Sequence, residues 1–478
     1  MLWLCLHFPQ LPLEIFSRAQ ADQAPWAVIQ GKGARQTIFL YNNAAAALGI
    51  RPGMAPGAAH ALSADLQIRP RDEPAEGQAL EALAAWAGQF TSLVSLAPPQ
   101  ALLLEIAGSL RYFGGIDALL ARVRRRAAHL GYLTELGAAP TPLSAWLLAR
   151  ARVTAPVMDR EALPGVLCGL PLACLDLNDK LAHTLHGIGL RRVGDVLRLP
   201  RAGLARRLGP ALLDYLDRLL GRLPDPREPY EPPPRFERRL ALPAETADVE
   251  ALLFPARRLL LELAGFLAAR QAGTRRLHWT LVHPGRPPQD ITLGLAVPNR
   301  DAHHLLNLLR ERLTRTPLDH PAQEIALRVA DMQPLQPRTL TLDGEQSAPA
   351  EDWPQLVERL RARLGDEAVQ GLQCRADHRP ERAWHPASPG EAGPALPHAY
   401  RPLWLLSRPV PLSLHDGAPW LDSRLYIEAG PERLESGWWD GGDIARDYFV
   451  ARDAAHSRYW IFRERRDKRK WFLHGIFA

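Results

Sequence analysis

The feature that most constrains this fold is the run His186–Gly194, which reads His-Gly-Ile-Gly-Leu-Arg-Arg-Val-Gly. Gly187 and Gly189 stand two residues apart between helical segments, which predicts a helix-hairpin-helix turn. Such a turn lets backbone N–H groups approach a DNA phosphate, and Arg191 and Arg192 add charge beside it. The positive density continues at Arg198, Arg201, Arg206 and Arg207. The pattern favours DNA binding, and a plain helical corner with solvated arginines is the alternative.

The composition fits a folded, multidomain protein with a weak preference for anionic partners. A chain of 478 residues is expected to form several domains, and 47% hydrophobic residues exclude overall disorder. Lys and Arg number 58 against 52 for Asp and Glu, a formal charge of +6. This mild excess permits a phosphate-backbone partner without requiring one.

Cysteines and histidines give no metal signature. Cys5, Cys168, Cys174 and Cys374 form no C-x-x-C pair, and the adjacent His303-His304 face different sides of a helix. We therefore predict no metal and no cofactor. The N-terminus lacks a signal-peptide pattern, and no apolar run approaches the roughly 20 residues that cross a bilayer. These features predict a cytoplasmic protein without a membrane partner.

Periodicity predicts a multidomain α+β chain. Strands are predicted at 2–8, 66–68, 93–96, 101–106, 132–138, 275–282, 290–297 and 324–332. Helices are predicted at 42–48, 56–63, 78–90, 116–130, 143–150, 249–270 and 303–313. Short helices fill 165–225, an extended proline-rich tether covers 229–234, and 379–402 is predicted to be a linker. The aromatic-rich end, 404–478, is mostly strand-like.

Three groups of residues resemble Y-family DNA polymerases over roughly residues 1 to 340. The hairpin, Leu199-Pro200 and Leu204–Gly209 resemble the thumb of that family. Gly49–Met54, Ala61-Leu62 and Pro70–Asp72 resemble the fingers, and Gly108 and Phe113–Gly115 resemble the palm. The resemblance implies palm and fingers at 1–164 (fingers about 20–72), a thumb at 165–228, a linker at 229–237, a little-finger-like domain at 238–345, a variable segment and linker at 346–402, and a C-terminal interaction region at 403–478.

The catalytic positions depart from the family pattern. A Y-family polymerase uses an Asp in its first strand and an Asp-Glu pair in the central hairpin to hold two Mg²⁺ ions. His7 stands near the first position, and Gln100 and Ala101 stand near the other two. An imidazole and an amide cannot supply the negative charge that two hard cations require.

Contacts to the incoming nucleotide are lost as well. The finger Tyr and Arg map near Asn43 and Ala46, and the palm Lys maps near Trp146. Several independent losses predict a degenerate core rather than an enzyme. The alternative is an active translesion polymerase with displaced ligands, using Glu105 with Glu14 or Asp117.

The C-terminal segment resembles noncatalytic family members from a bacterial DNA-damage mutagenesis complex. The matching stretches are Asp377–Arg382, Gly430–Arg433, Glu435–Asp440, Arg446–Tyr448 and Trp471–Gly475. This resemblance implies an adaptor that brings an error-prone polymerase to lesions. The implied partners are DNA (primer-template or single-stranded), a RecA-like protein, the alpha subunit of an error-prone replicative-type polymerase, and the sliding clamp. The implied location is the nucleoid.

Further contact residues follow from these partners. Arg275 and Arg276 are predicted to support DNA binding from the little-finger-like domain. Gln336, Leu340 and Leu342 partly match a clamp-binding peptide, although the spacing differs and the terminal Phe is missing. An ordinary loop or edge strand is the alternative.

Aromatic residues near the C-terminus are predicted to bind a partner protein. Trp438, Trp439 and Trp471 are the candidates, and burial in a domain core is the alternative. The basic run 463–470 has Trp460 and Trp471 on either side, a combination that can grip single-stranded DNA. A solvated hairpin turn is the alternative there, and a protein-binding scaffold without DNA contact remains a third interpretation of the whole chain.

Overall fold

The computed structural model describes residues 1–19, 24–316, 318, 320–335, 353–389, 391, 401–466 and 470–477. Contacts divide the chain into two units, Met1–Arg363 and Leu364–Ala478. The first unit mixes helices with sheets, and the second consists mostly of strands. This confirms the predicted α+β fold class with a C-terminal β-rich region.

The first 150 residues form two sheets and the helices that cover them. Their elements are β1 (Trp3–His7), α1 (Leu11–Ser17), β2 (Trp26–Gln30), β3 (Thr37–Tyr41), α2 (Asn43–Ala47), α3 (Pro56–Leu62), β4 (Gln67–Pro70), α4 (Glu73–Ala87), β5 (Val94–Ala97), β6 (Ala101–Glu105), α5 (Leu110–Phe113), α6 (Ile116–Leu130), β7 (Glu135–Ala139) and α7 (Pro142–Arg150). The central sheet has the order β5-β6-β1-β7, and the small sheet has the order β3-β2-β4.

Both faces of the central sheet are covered. Leu4 and Leu6 of β1 join a core with α4 and α6, whereas Cys5 joins a second core with α7. Successive side chains of a strand point to opposite faces, so a strand buried on both sides is apolar throughout. This explains the unbroken apolar run that predicts β1.

Helix α6 shows how local sequence fixes an element of this layer. Leu119, Val123, Ala127 and Leu130 are buried at helical spacing. The helix begins after Gly115 and ends before Gly131, which has a left-handed backbone. The helix predicted at 116–130 has these same bounds.

The small sheet has a core of its own that includes Ala27, Ile38 and Ile50. Asn42 links its elements, since its Oδ1 accepts hydrogen bonds from the N–H of Ala45 and of Trp26, both 3.0 Å long. The first contact caps α2 and the second fixes β2 beside it. Strands β2 and β3 have no counterpart among the elements predicted from the sequence.

A helical region follows, in which short helices pack against α7. Its elements are α8 (Leu163–Cys168), α9 (Asp179–Gly187), α10 (Val193–Leu197), α11 (Arg201–Leu208) and α12 (Pro210–Leu219). The hydroxyls of Thr141 and Ser144 both donate to the carbonyl of Leu219, over 3.0 and 2.6 Å. These contacts fix the end of α12 to the start of α7.

The rest of the first unit is a second sheet with helices on one face. Its elements are β8 (Phe236–Thr246), α13 (Val249–Ala269), β9 (Ala272–Val282), β10 (Gln289–Asn299), α14 (Ala302–Arg315), β11 (Ala322–Val329), β12 (Gln333–Pro334) and α15 (Trp353–Leu364). The order of the second sheet is β10-β9-β11-β8, with β12 paired to β9.

The proline-rich segment before β8 is anchored rather than free. The N–H of Tyr230 donates to the carbonyl of Val94 over 2.7 Å, and Nη2 of Arg270 donates to the carbonyl of Pro233 over 2.8 Å. The segment is extended, as its prolines predict. Hydrogen bonds from both sides nevertheless fix its course along the first unit.

Helices α4 and α13 approach each other closely. A Cβ atom on Gly265 would lie 2.3 Å from Cδ1 of Trp86, so only glycine fits there. Nearby, Nη1 of Arg18 lies 2.5 Å from Oε1 of Glu262, with both side chains buried. Glycine packing and a buried ion pair therefore join the second sheet to the helices of the central sheet.

The second unit contains a hairpin and one large antiparallel sheet. Its elements are β13 (Gly371–Cys374), β14 (Trp384–Ala387), β15 (Trp404–His415), β16 (Ala418–Leu421), β17 (Ser423–Arg424), β18 (Tyr426–Ser436), β19 (Ile444–Arg452), β20 (Arg458–Glu464) and β21 (Trp471–Ile476). The large sheet has the order β17-β16-β15-β21-β20-β19-β18. Strand β20 contributes to both faces, since Ile461 joins one core and Trp460 and Phe462 the other.

The linker predicted at 379–402 is corrected in its described part. Arg379 is buried, and its Nη2 donates to Oδ2 of Asp377 and of Asp440, each over 2.7 Å. Strand β14 follows and pairs with β13. A buried ion-pair network has no hydrophobic periodicity, so the sequence pattern gives no sign of this structure.

Candidate degenerate polymerase site and nucleic-acid interface

The central sheet brings together the positions that correspond to the metal ligands of Y-family polymerases. His7 lies opposite Ala101 of β6 and opposite Glu135 of β7. Side chains of directly opposed residues share one face of a sheet, so these three converge at one end of it. Gln100 stands in the preceding turn, where its carbonyl accepts from the N–H of Phe8 over 2.8 Å.

The surroundings of His7 disfavour a bound cation. Burial lowers the pKa of His7 to about 4, and the positive charges of Arg150 and Arg152 lower it further. Glu135, the carboxylate opposite His7 on β7, lies 3.4 Å from Nε of Arg152. A neutral imidazole, an alanine and a carboxylate already paired with arginine do not fit two Mg²⁺ ions.

Arg150 and Arg152 are functional candidates that the sequence patterns miss. Arg150 closes α7 and lies 4.5 Å from the ring of Trp146, the position predicted to replace the nucleotide-binding lysine. Only the packing of α7 on the sheet brings these arginines toward His7. The other two mapped positions, Asn43 and Ala46, both lie in α2.

The alternative carboxylates do not gather into one site. Glu105 lies opposite Trp3, four residues along the strand from Ala101, or about 13 Å. Its Oε1 accepts from the N–H of Leu2 over 3.1 Å. Glu14 accepts from the N–H of Leu133 over 2.7 Å, and burial raises its pKa to about 8. Asp117 lies in the first turn of α6, in the helical layer of the opposite face.

The state of His7 predicts a pH dependence. A histidine whose folded pKa lies near 4 instead of 6.5 takes up its proton more readily when unfolded. Stability is therefore lost as the pH falls from 6.5 through 4, by about 2 kcal/mol after discounting for partial exposure. In His7→Asn this part of the pH dependence should disappear. Urea denaturation at pH 7 and pH 4 measures it, with His183→Asn as a control for loss of an exposed imidazole.

The hairpin forms where predicted, but its backbone donors are used internally. Gly189 has φ +86°, a left-handed conformation that favours glycine. The N–H groups of Gly189 and Leu190 donate to carbonyls of α9. Those of Arg191 and Arg192 donate to Oδ2 of Asp195 over 3.0 and 2.9 Å, and they hold the pKa of Asp195 below its usual range. The expected backbone donation to a phosphate is therefore not provided for by these four N–H groups.

Exposed arginines extend from the hairpin onto α11. Arg206 and Arg207 line a groove of about 480 Å³ together with Ile188 of the turn. Arg201 forms an ion pair with Asp217, in which Nη2 lies 2.5 Å from Oδ2. Arg198 lies 3.8 Å from Asp195. Arg206 and Arg207, on the α11 side of the groove, thus remain available for phosphate contacts.

Arg275 and Arg276 do not act as one pair. Both are exposed on β9, but adjacent residues of a strand point to opposite faces. Arg276 lies in the solvent-facing row with His278, opposite Gly294 of β10. Arg328 lies opposite His278 on β11. Arg276 and Arg328 are therefore the candidate pair on the open face of the second sheet.

The predicted partner-binding residues divide into exposed and buried ones. Trp438 and Trp439 stand between β18 and β19 with 78% and 59% of their surface exposed. The prediction that Trp471 binds a partner is corrected, because its side chain is only 8% exposed and belongs to a core with Ile461 and Leu473. The clamp-binding candidates Gln336, Leu340 and Leu342 lie outside the described residues.

The basic C-terminal run is largely neutralised where it is described. Nη2 of Arg463 and Nε of Arg465 lie 3.5 and 3.8 Å from Asp447, and Arg466 pairs with Asp443. Residues 467–469 of this run lie outside the described part. Ion pairing of this kind favours the hairpin-turn interpretation over a grip on single-stranded DNA.

The adjacent histidines of α14 separate as predicted. Nε2 of His304 lies 2.6 Å from Oε2 of Glu358 in the interior, whereas His303 is exposed. In the described part of the chain, no three His, Cys, Asp or Glu residues are grouped as metal ligands would be. No helix there is long and apolar enough to span a bilayer.

Comparisons with known proteins agree on one lineage. Residues 13–150 match the impB/mucB/samB family. Two relatives called Protein ImuB, from two strains of Caulobacter vibrioides, are each 30% identical over 458 residues, covering 90% of this chain and 100% of theirs.

The solved structures similar to this chain include DNA polymerases. An insertion ternary complex of Dbh DNA polymerase has a TM-score of 0.40 at 16% identity, over 70% of this chain and 100% of that one. DinB from Sulfolobus solfataricus has a TM-score of 0.39 at 17% identity, with the same coverage.

Proposed function

Since this chain belongs to the ImuB family of Y-family polymerase-like proteins, we propose that it is a noncatalytic DNA-binding adaptor of translesion synthesis. It recruits an error-prone polymerase to damaged DNA within a mutasome complex of the SOS response. In this proposal the central sheet is the palm, the small sheet the fingers, the helical region the thumb and the second sheet the little finger.

The observation that carries the proposal is the character of the palm site. His7, neutral above about pH 4, lies beside Ala101, and Arg150 and Arg152 add positive charge. Phosphoryl transfer needs metal ions that neutralise the developing negative charge and align the reacting oxygens. Residues of this kind repel such ions, which supports a pseudoenzyme.

DNA binding is assigned to the thumb and the little finger. Arg191, Arg192, Arg206 and Arg207 project from the hairpin and α11, and Arg276 and Arg328 from the open sheet face. Gly187 and Gly189 shape the turn, while Arg275 contributes from the other face of β9. Contacts by such side chains are electrostatic and weakly sequence-specific, so affinity falls as salt rises.

Partner recruitment is assigned to the C-terminal part. The exposed Trp438 and Trp439 offer an aromatic anchor, and Asp440 beside them is held by Arg379 over 2.7 Å. Aromatic residues on a fixed turn are typical of binding hot spots. The proposed partners are an ImuA-type RecA-like protein and the alpha subunit of the error-prone polymerase, with Gln336, Leu340 and Leu342 directed at the sliding clamp.

The proposal is tested by primer extension and DNA binding on one labelled primer-template. With Mg²⁺ or Mn²⁺ and all four deoxynucleotides, we expect binding without extension. Replacing both Arg191 and Arg192 by Ala should weaken binding about tenfold or more at 0.1 M salt and reduce the salt slope by about two. Arg124→Ala with Arg125→Ala removes the same charge from α6 and serves as the control.

Two results would contradict the proposal. Extension that is abolished by Glu105→Gln would mean that an active site has been rebuilt from other carboxylates, as in the alternative of an active translesion polymerase. Absence of DNA binding at low salt would leave a protein-binding scaffold. An unchanged affinity and salt slope in the hairpin variant would remove the thumb from the interface.

A further inference from the structure

A second positively charged site lies on the side of the central sheet that α4 and α6 cover, away from the hairpin and from His7. It is a cleft of about 1050 Å³, here called the arginine cleft, between α4–α6 and the start of α14. Its walls include Gln89, Tyr112, Arg122, Arg126, His129 and Arg300. None of these side chains takes part in the site at the end of β1.

The positive charge of the cleft is built by two separate parts of the chain. Arg122, Arg126 and His129 are spaced four and three residues apart along α6 and therefore share one face of that helix. Arg300 comes from the loop before α14. Burial lowers the pKa of Arg126, and Arg122, Arg125 and Arg300 lower it further. Arg122 and Arg300 therefore both act on Arg126, and an anion in the cleft would meet the charge of all three.

Little negative charge compensates the arginines. Among the described residues that line the cleft, Asp301 is the only carboxylate. Its Oδ1 accepts from the N–H of His303 over 3.0 Å and so caps α14. Arg126 is held by the amide of Gln89, a neutral partner. The side chains that line the cleft thus carry more positive than negative charge.

An aromatic ring stands at the mouth of the cleft. Tyr112 is 84% exposed, and its ring lies edge-on to Phe113 with centroids 4.9 Å apart. The guanidinium of Arg122 lies 5.2 Å from the ring of Phe113. An open aromatic face next to arginines is the combination with which proteins hold unpaired bases and their phosphates.

We propose that the arginine cleft binds single-stranded DNA, with phosphates on Arg122, Arg126 and Arg300 and a base stacked on Tyr112. This site goes beyond the proposed function, because it gives a single strand a binding site of its own. That site is distinct from the one proposed for primer-template on the thumb and little finger. An acidic peptide would satisfy the arginines but would make no use of the exposed ring of Tyr112.

The test measures anisotropy of a labelled oligothymidine with the full-length chain. Arg122→Ala with Arg126→Ala should weaken binding about tenfold or more at 0.1 M salt. The control Arg124→Ala with Arg257→Ala removes the same charge from exposed positions outside the cleft and should change binding less than threefold. Tyr112→Ala should weaken binding about fivefold and Tyr112→Phe should restore it, because stacking needs the ring and not the hydroxyl. Each variant is also made in the Arg191→Ala, Arg192→Ala background, where the same losses should recur.

The outcomes separate this inference from the proposed function. Loss of primer-template binding in the hairpin variant, with oligothymidine binding kept, supports both sites. Equal effects of the cleft double variant and the control double variant overturn the cleft, whatever the hairpin does. A thymidine mononucleotide or a polyglutamate peptide that displaces the oligonucleotide from the cleft at equal phosphate or carboxylate concentration also overturns the assignment to a strand.

Discussion

Arg18→Met is expected to lower the free energy of unfolding of the first unit by about 3–5 kcal/mol. The side chains of Arg18 and Glu262 are 7% and 4% exposed, and their nearest atoms lie 2.5 Å apart. Removing the guanidinium leaves the carboxylate of Glu262 buried without its main partner. Urea denaturation of the full-length chain, followed by circular dichroism, measures the loss, and hydrogen exchange should show it in α13 first.

The control for Arg18 is an exposed pair of the same kind. Nε of Arg310 lies 3.1 Å from Oε1 of Glu250, but these side chains are 45% and 67% exposed. Solvent screens such a pair, so Arg310→Met should cost less than about 1 kcal/mol. The double variant Arg18→Met, Glu262→Met should recover part of the loss. Equal losses of unfolding free energy in Arg18→Met and Arg310→Met would contradict the expectation that breaking a buried ion pair costs more than breaking an exposed one.

Gly137→Ala is expected to destabilise the first unit by about 3 kcal/mol, at the upper end for overpacking. A Cβ atom there would lie 2.3 Å from both the carbonyl oxygen of Ala145 and the amide nitrogen of Ala149. These are backbone atoms of α7, so the helix itself must move. Because α7 ends at Arg150, its displacement should also raise the pKa of His7, which nuclear magnetic resonance of labelled histidine can follow.

Gly77 provides the matched control for Gly137. It lies inside α4, and an added Cβ would meet no atom within 4 Å. Alanine favours a helix over glycine, so Gly77→Ala should stabilise the chain by about 0.5–1 kcal/mol. A stabilising Gly137→Ala would show that α7 does not pack on β7 as described.

Elements with strong local patterns could be predicted from the sequence. Helix α6 has its predicted bounds, and the helix predicted at 249–270 is Val249–Ala269. Strands β2 and β3 lack a clear alternation and could not be predicted. Nor could the position of α13, because no local pattern marks Gly265 as the residue that meets Trp86, nearly 180 positions away.

The loss of carboxylates at the candidate site could be predicted from the sequence, but the arginines that lie near it could not. The absence of carboxylates at His7, Gln100 and Ala101 is visible in the sequence. The nearness of Arg150 and Arg152 depends on how α7 crosses the sheet. Trp471 was a reasonable partner contact by residue type, but the strand alternation that buries it is visible only once β21 is paired with β20.

The anchored segment before β8 has a consequence for assembly. When two domains are joined by a free linker, its length sets the effective concentration of one domain beside the other. Here the contacts of Tyr230, Arg270, Gly265 and Glu262 set the spacing instead. The second sheet therefore keeps a fixed spacing from the central sheet, and a partner that requires another spacing must first break these contacts.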